Sequence, residues 1–255
     1  MENIVHNISK QERKILIIRE LNLRNKVLST DLSTLLGVSE DTIRRDLNEL
    51  SDEGKLIKVH GGALSNAYHV GIQQSVIYAH QEKEVIAKKT IQLLKDNMFV
   101  LIGGGTTIQM LIKFLPNELR TTFFTNNLLT ALQLLEHPSC KVFFLGGELS
   151  RTIQGSIGLV AQQQLTDIHA DLYITGVNAI DTHLGISDSD MDAVLVKRAM
   201  IQNAKKVAVL TISEKLNSSQ QIRVCPLDNI DYLITELSPN DVLLEAYQNS
   251  DICII

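Results

Sequence analysis

Two adjacent arginines, Arg44 and Arg45, stand with Asp41, Thr42 and Asn48 in the stretch LGVSEDTIRRDLNEL. These residue types suit one chemistry, the reading of a nucleic-acid duplex. Arg grips guanine through two hydrogen bonds, Asn does the same with adenine, and Thr or Ser suits phosphate or the thymine methyl. Ser29, Thr30 and Ser39 upstream, with Lys55, Lys58 and His60 downstream, extend the set toward the phosphate backbone. For such chemistry the arginines must face out. Ile43, Leu47 and Leu50 repeat at i, i+4 and i+7, so they form one buried stripe of a helix. Asp41, Arg44, Arg45 and Asn48 then point away from it, with Thr42 at the margin.

The neighbouring elements have to hold that helix. Ser39 is placed to cap it, and Gly37 supplies a tight turn after a shorter helix carrying Leu32, Leu35 and Leu36, with Ser29 or Thr30 as its cap. Upstream, Gln11 to Leu23 reads as an amphipathic helix that turns Ile15, Ile18 and Leu21 inward, and Asn25 and Lys26 interrupt it. Downstream, Leu56 to His60 alternates apolar and basic residues and stops at Gly61 and Gly62. A short strand pair there makes a wing lying along the phosphates, with Lys55, Lys58 and His60 touching them. The rival reading is a solvated helix in which Arg44 and Arg45 merely pair with Asp41 and Glu49. It leaves the cap, turn, spacing and wing unexplained.

Charge is consistent with a local DNA-binding face. The 255 residues hold 24 basic and 29 acidic side chains, for a net charge of -5. Residues 1–62 carry 10 of each, so the remaining 14 basic and 19 acidic residues, with the whole deficit, lie beyond. A 44% hydrophobic content supports a substantial core and argues against disorder. Cys140, Cys225 and Cys253 are odd in number and form no CxxC pair, which suggests neither a disulfide framework nor a zinc site. No signal design opens the chain, and no apolar run approaches the ~18 residues that span a membrane. The expectation is a cytoplasmic protein with no metal or cofactor.

A second chemistry lies in the rest of the chain. Apolar runs at Phe99 to Ile102, Thr122 to Phe124, Lys141 to Leu145, Leu172 to Thr175, Lys206 to Leu210 and Tyr232 to Ile234 read as buried strands. Helical patterns at Glu84 to Leu94, Thr107 to Leu115, Leu128 to Leu135, Met191 to Asn203 and Asn240 to Asn249 alternate with them. That order predicts an α/β domain around a mostly parallel sheet, in which ligands sit at the carboxyl ends of strands.

Three loops at such ends could hold an anion: Gly103, Gly104, Gly105, Thr106 and Thr107; Thr125, Asn126 and Asn127; and Gly146, Gly147 and Arg151. The first is neither a P-loop nor a GxGxxG turn, and a tight turn with no ligand also accounts for it. Lys197, flanked by Val194, Val196 and Ile201, either neutralises a phosphate or lays its stem over apolar surface; Lys215 carries the same ambiguity. Asp188, Asp190 and Asp192 could cap a helix or bind sugar hydroxyls.

The order of residues from Glu12 to Ala63, above all VSEDTIRRDLNEL and EGKLIKVHGGA, resembles the DNA-binding domain of the DeoR family of bacterial transcriptional regulators. EKEVIA, GGGTT, TNN, GGELSR, ADLYITGVNAID, GIS, VKRAMI and SEK extend the likeness through residues 80–236, where the family's effector domain is similar to phosphosugar isomerases such as ribose-5-phosphate isomerase. The resemblance implies a winged helix-turn-helix in residues 1–62, a connection over 63–79, and an effector-sensing and oligomerisation domain over 80–255. It also implies operator DNA and a phosphorylated sugar or related metabolite as partners, and a homo-oligomer, dimer or tetramer, whose two heads grip repeated half-sites. Repression relieved by an inducer is the sign of control it suggests.

This chain departs from the family pattern at Gly103 and Ile212, where an Asp is usual, and in having no Arg between Val59 and Leu119. An isomerase would need a carboxylate base, for which Asp181, Asp188 and Asp192 are unassigned candidates. A sugar-phosphate isomerase-like enzyme and a regulator with a vestigial pocket are the alternatives to the sensing reading.

Overall fold

The structure is a computed structural model that describes residues 8–24, 26–65 and 78–255. The chain divides into two compact units between Tyr78 and Ala79.

The first unit runs α1 (Lys10–Arg24), β1 (Lys26–Leu28), α2 (Ser29–Leu36), α3 (Glu40–Asp52), β2 (Leu56–Val59) and β3 (Gly62–Ser65). Its strands form one antiparallel sheet in the order β1-β3-β2. Ile17 and Leu21 of α1, Leu32 and Leu36 of α2, and Ile43, Leu47 and Leu50 of α3 close the core with Val27, Leu56 and Ala63.

Several expectations shift here. The inward stripe of α1 is Arg13, Ile17 and Leu21, whereas Ile15 is 62% exposed. α2 begins at Ser29 itself, with Leu28 in the cap position, so neither Ser29 nor Thr30 caps it. Lys26 ends no structure; it opens β1, which pairs with β3. Ala63 to Ser65 belong to β3 rather than to a connection, because the wing's second strand needs them to reach both β1 and β2. Residues 66–77 of the expected connection, and Asn25, lie outside the described residues.

The second unit begins with α4 (His80–Ile91), β4 (Phe99–Ile102), α5 (Thr106–Lys113), β5 (Thr122–Thr125), α6 (Leu128–Leu135) and β6 (Lys141–Phe144). A hairpin of β7 (Glu148–Ser150) and β8 (Gly155–Ile157), then α7 (Gly158–Gln163), precedes β9 (Leu172–Gly176). β10 (Ala179–Asp181), β11 (Gly185–Asp188), α8 (Met191–Gln202), β12 (Val207–Leu210), β13 (Ile222–Cys225), β14 (Tyr232–Ile234) and β15 (Cys253–Ile254) complete it.

Seven strands form a parallel sheet in the order β15-β14-β12-β9-β4-β5-β6. Consecutive residues of β4, β9 and β12 are buried, so both faces at the sheet's centre are covered. A smaller antiparallel sheet, β10-β11-β13, stands beside it. The helix expected over Asn240 to Asn249 is a 3-10 segment, Val242–Tyr247.

Candidate DNA interface and effector site

α3 is held from three sides. Ser39 Oγ accepts from the Thr42 N–H, and its hydroxyl meets the Thr42 hydroxyl at 2.9 Å. Gly37, at φ +63, ends α2 in the left-handed region that a glycine adopts without strain. The third hold is Arg13 of α1, whose guanidinium meets Asp46 on the buried side of α3. That contact is invisible to a search for apolar stripes.

The outer face then carries Asp41, Arg44, Arg45 and Asn48, all exposed, with Thr42 half-buried. Arg44 is tied to Glu40 at 3.1 Å and Asp41 at 3.3 Å. Arg45 makes no ion pair among the described residues. Glu49, the partner that a purely solvated helix would give it, pairs instead with Lys10 and Lys14 of α1. The two arginines are therefore unequal: Arg44 is pre-paired and Arg45 is available.

On the wing, Lys58 donates to Oδ1 of the Asn48 side chain, joining β2 to α3. Lys55 pairs with Glu53 at 2.7 Å, and His60 is exposed at the β2–β3 turn. Thr30 is exposed, but Ser29 is only 4% exposed. Ser29 is withdrawn from the phosphate-facing set because its side chain lies in the core beside the turn whose Gly61 oxygen accepts from its N–H.

In the second unit the loops at the carboxyl ends of the strands sort into scaffold and surface. Asn127 Oδ1 caps α6 by accepting from the Thr130 N–H, and its amide donates to the Ile153 oxygen. Asn126 donates to the Ser156 oxygen, and Thr125 Oγ1 accepts from the Asn127 N–H. The two asparagine side chains knit the end of β5 to the β7–β8 hairpin, while Thr125 braces the loop between them. Gly146 is bound through both its N–H and its oxygen to the Gln164 amide, Gly147 sits at φ +151, and Arg151 is exposed on the hairpin turn. Thr106 and Thr107 are half-buried in the first turn of α5, a turn that holds no acidic residue.

Lys197 resolves against the apolar-cover reading: its ammonium lies 2.6 Å from Asp188. Burial, the largest single influence on each, lowers the lysine and raises the carboxyl, but the partner's charge and the hydrogen bonds together outweigh it, so Lys197 is held above its ordinary value and Asp188 below. Asp190 caps α8, accepting from the Ala193 N–H, and Asp192 is exposed. Asp181 accepts from the His183 and Leu184 N–H groups. Lys215, in the 3-10 turn Ser213–Lys215 after β12, donates to the Val177 oxygen at 3.0 Å.

Burial, reinforced by Lys83 and Lys197, pushes Lys215 down to about 7. Lys83 on α4 is buried too, and that burial pushes it down to about 8. Its place in this cluster escapes sequence reasoning, because EKEVIA has no glycine or apolar signature marking a site.

A winged helix with an outward arginine, joined in one chain to a parallel α/β unit with a cationic carboxyl edge, defines a helix-turn-helix transcriptional regulator. The family described as DeoR-like helix-turn-helix domain matches residues 13–68, and the DeoR C terminal sensor domain matches residues 78–237. The chain belongs to the DeoR family. It is 31% identical over 246 residues to the HTH-type transcriptional repressor GlcR of Bacillus subtilis, covering 95% of each chain. It is 30% identical to the transcriptional regulator GolR of Listeria innocua, over 94% of this chain and 95% of that protein. It is 28% identical to the glycerol-3-phosphate regulon repressor of Escherichia coli, over 88% and 89% respectively.

These relatives are regulators rather than enzymes. Among solved structures it is similar to a D-ribose-5-phosphate isomerase, with a TM-score of 0.39 and 19% identity over 52% of each chain. Among the described residues no helix is long and apolar enough to cross a membrane.

Proposed function

We propose that this regulator represses an operon of sugar metabolism, and that a phosphorylated sugar or related anionic metabolite bound at the carboxyl edge of the seven-stranded sheet controls its hold on DNA. The observation that carries the sensing half is the gathering of Lys83, Lys197 and Lys215 at that edge, and in this reading the Gly104–Thr107 loop is the one that receives the phosphate. Buried ammonium groups favour a site that takes an anion. The DNA half rests on Arg45, Asn48, Thr42, Thr30, Lys55, Lys58 and His60, with α3 in the major groove and the wing along the backbone.

Relatives named as repressors of the glycerol-3-phosphate regulon and of the aga operon support a sugar-linked target. The protein acts as a homo-oligomer in the cytoplasm, two heads gripping paired half-sites. Exposed Leu132, Leu135 and Phe143, on α6 and the adjoining edge strand β6, support self-association of this unit.

The test is operator binding, read by fluorescence anisotropy on duplexes from upstream of the chain's own operon, with and without a panel of sugar phosphates. At least one should lower the affinity. An affinity unmoved by all of them would falsify effector control.

A further inference from the structure

β6 is the last strand of the seven-stranded sheet, and among the described residues no strand pairs with its outer edge. The N–H groups of Lys141 and Leu145 donate to the oxygens of Thr121 and Thr125, on the β5 side. Alternation along the strand therefore turns the N–H and C=O groups of Val142 and Phe144 outward. Open edges are commonly blunted by charge, proline or a bulge, yet β6 reads KVFF and carries only Lys141, at its start.

An aromatic row crosses one face of the sheet to this edge and stops there. The Phe99 ring of β4 lies 5.5 Å from that of Phe124 on β5, and Phe124 stacks on Phe143 of β6 at 5.0 Å. Phe124 is buried, whereas Phe143 at the end of the row is exposed. Phe144 points to the opposite face and is exposed as well.

α6 packs on β6 and extends this apolar edge. It buries Thr130, Ala131 and Leu134, and its Gln133 reaches the Gln109 oxygen of α5. Helical spacing then turns Leu132 and Leu135 to the side away from α5, where the sheet ends. Leu132, Leu135, Phe143 and Phe144 are between 39% and 67% exposed. At ~200 Å² for a whole side chain of this size, they offer roughly 400 Å² of apolar surface. A stable dimer face of about 800 Å² per partner is a little over half apolar, so this patch matches what one such face needs.

We infer that two copies of this chain join through β6, antiparallel about a two-fold axis at Phe143, into one continuous sheet. The inference rests on the homo-oligomer reading above and assigns its interface. In this register the outward groups of Val142 in one copy bond those of Phe144 in the other, and Phe143 meets its own counterpart as a close, non-hydrogen-bonded pair. The aromatic row then runs unbroken through both copies. Lys141 falls opposite Leu145, whereas a parallel pairing would set the two Lys141 side chains directly against each other.

Sedimentation equilibrium of the full chain should show a dimer or a larger oligomer. Phe143→Lys places two ammonium groups face to face and should weaken association by about tenfold or more. Val142→Pro removes an outward N–H and no bond to β5, and should weaken it too. The register is read by cross-linking in a Cys253→Ser background. Phe143→Cys should form a disulfide-linked dimer on addition of diamide, because such pairs stand about 4.5 Å apart, Cα to Cα, within disulfide reach. Lys141→Cys, exposed on the same strand but off the axis, should not. No cross-link through Phe143→Cys, an equal one through Lys141→Cys, or an association unmoved by Phe143→Lys overturns the edge pairing and leaves the oligomer reading intact. A wild-type chain that stays monomeric at micromolar concentration overturns both.

Discussion

Arg13 and Asp46, 33 positions apart, form the ion pair that closes α1 onto α3, with Nε–Oδ2 at 2.5 Å and Nη2–Oδ1 at 3.2 Å. Their side chains are 10% and 2% exposed. Removing two charges from water costs several kcal/mol each, and the paired hydrogen bonds offset it only while both partners remain. The opposite side of α3 carries Arg45 and Asn48, so this contact fixes how the helix presents them.

Arg13→Met should therefore destabilise the first unit by about 3 kcal/mol, because Asp46 is left buried and unmatched. Asp46→Leu should do the same, and the double variant should recover most of the loss. Urea denaturation of the full chain checks this; additive single losses in the double variant would remove the coupling.

Arg45→Ala should cost about 1 to 3 kcal/mol of operator affinity and relax base preference. Arg44→Ala should cost less, since Arg44 is already committed to Glu40 and Asp41. Lys58→Ala should weaken operator and scrambled duplex alike. Anisotropy on both duplexes decides it, and equal losses at positions 44 and 45 would refute the assigned orientation.

Gly104→Ala should unseat Asn127 from its cap on α6, costing about 1 to 2 kcal/mol. Gly103→Ala should be neutral or stabilising by up to about 1 kcal/mol, because alanine narrows the unfolded ensemble without strain. Thermal melting of the two variants side by side gives the comparison, and the reverse order would contradict the loop geometry.

Lys215 and Lys83 release their protons at about 7 and about 8 in the folded chain, well below the ordinary 10.5. Between those values and 10.5 the unfolded chain binds more protons than the folded one, so stability rises with pH across that window. Below about 7 both states are protonated and the burial cost is fully present. The melting temperature from these groups should thus climb between pH 7 and pH 9. Lys215→Met should flatten the climb, and an unchanged slope in that variant would exclude Lys215 as its source.

Local pattern made much of this legible. The stripe of Ile43, Leu47 and Leu50 and the Ser39 cap determine α3, since helical period and capping act within a few residues. The apolar runs determine the strands of the parallel sheet, because strands buried on both faces cannot alternate. What tertiary structure alone decided is who meets whom across long separations. It buried Arg13 rather than Ile15, drew Lys26–Leu28 into a sheet with β3, and turned Asn126 and Asn127 inward to the β7–β8 hairpin. It matched Lys197 to Asp188 while setting Lys83 beside Lys215. A charged residue's spacing carries no record of its partner. Only packing, which sets burial and distance together, tells an ammonium held by a carboxylate, as Lys197 is, from one held by a backbone carbonyl, as Lys215 is.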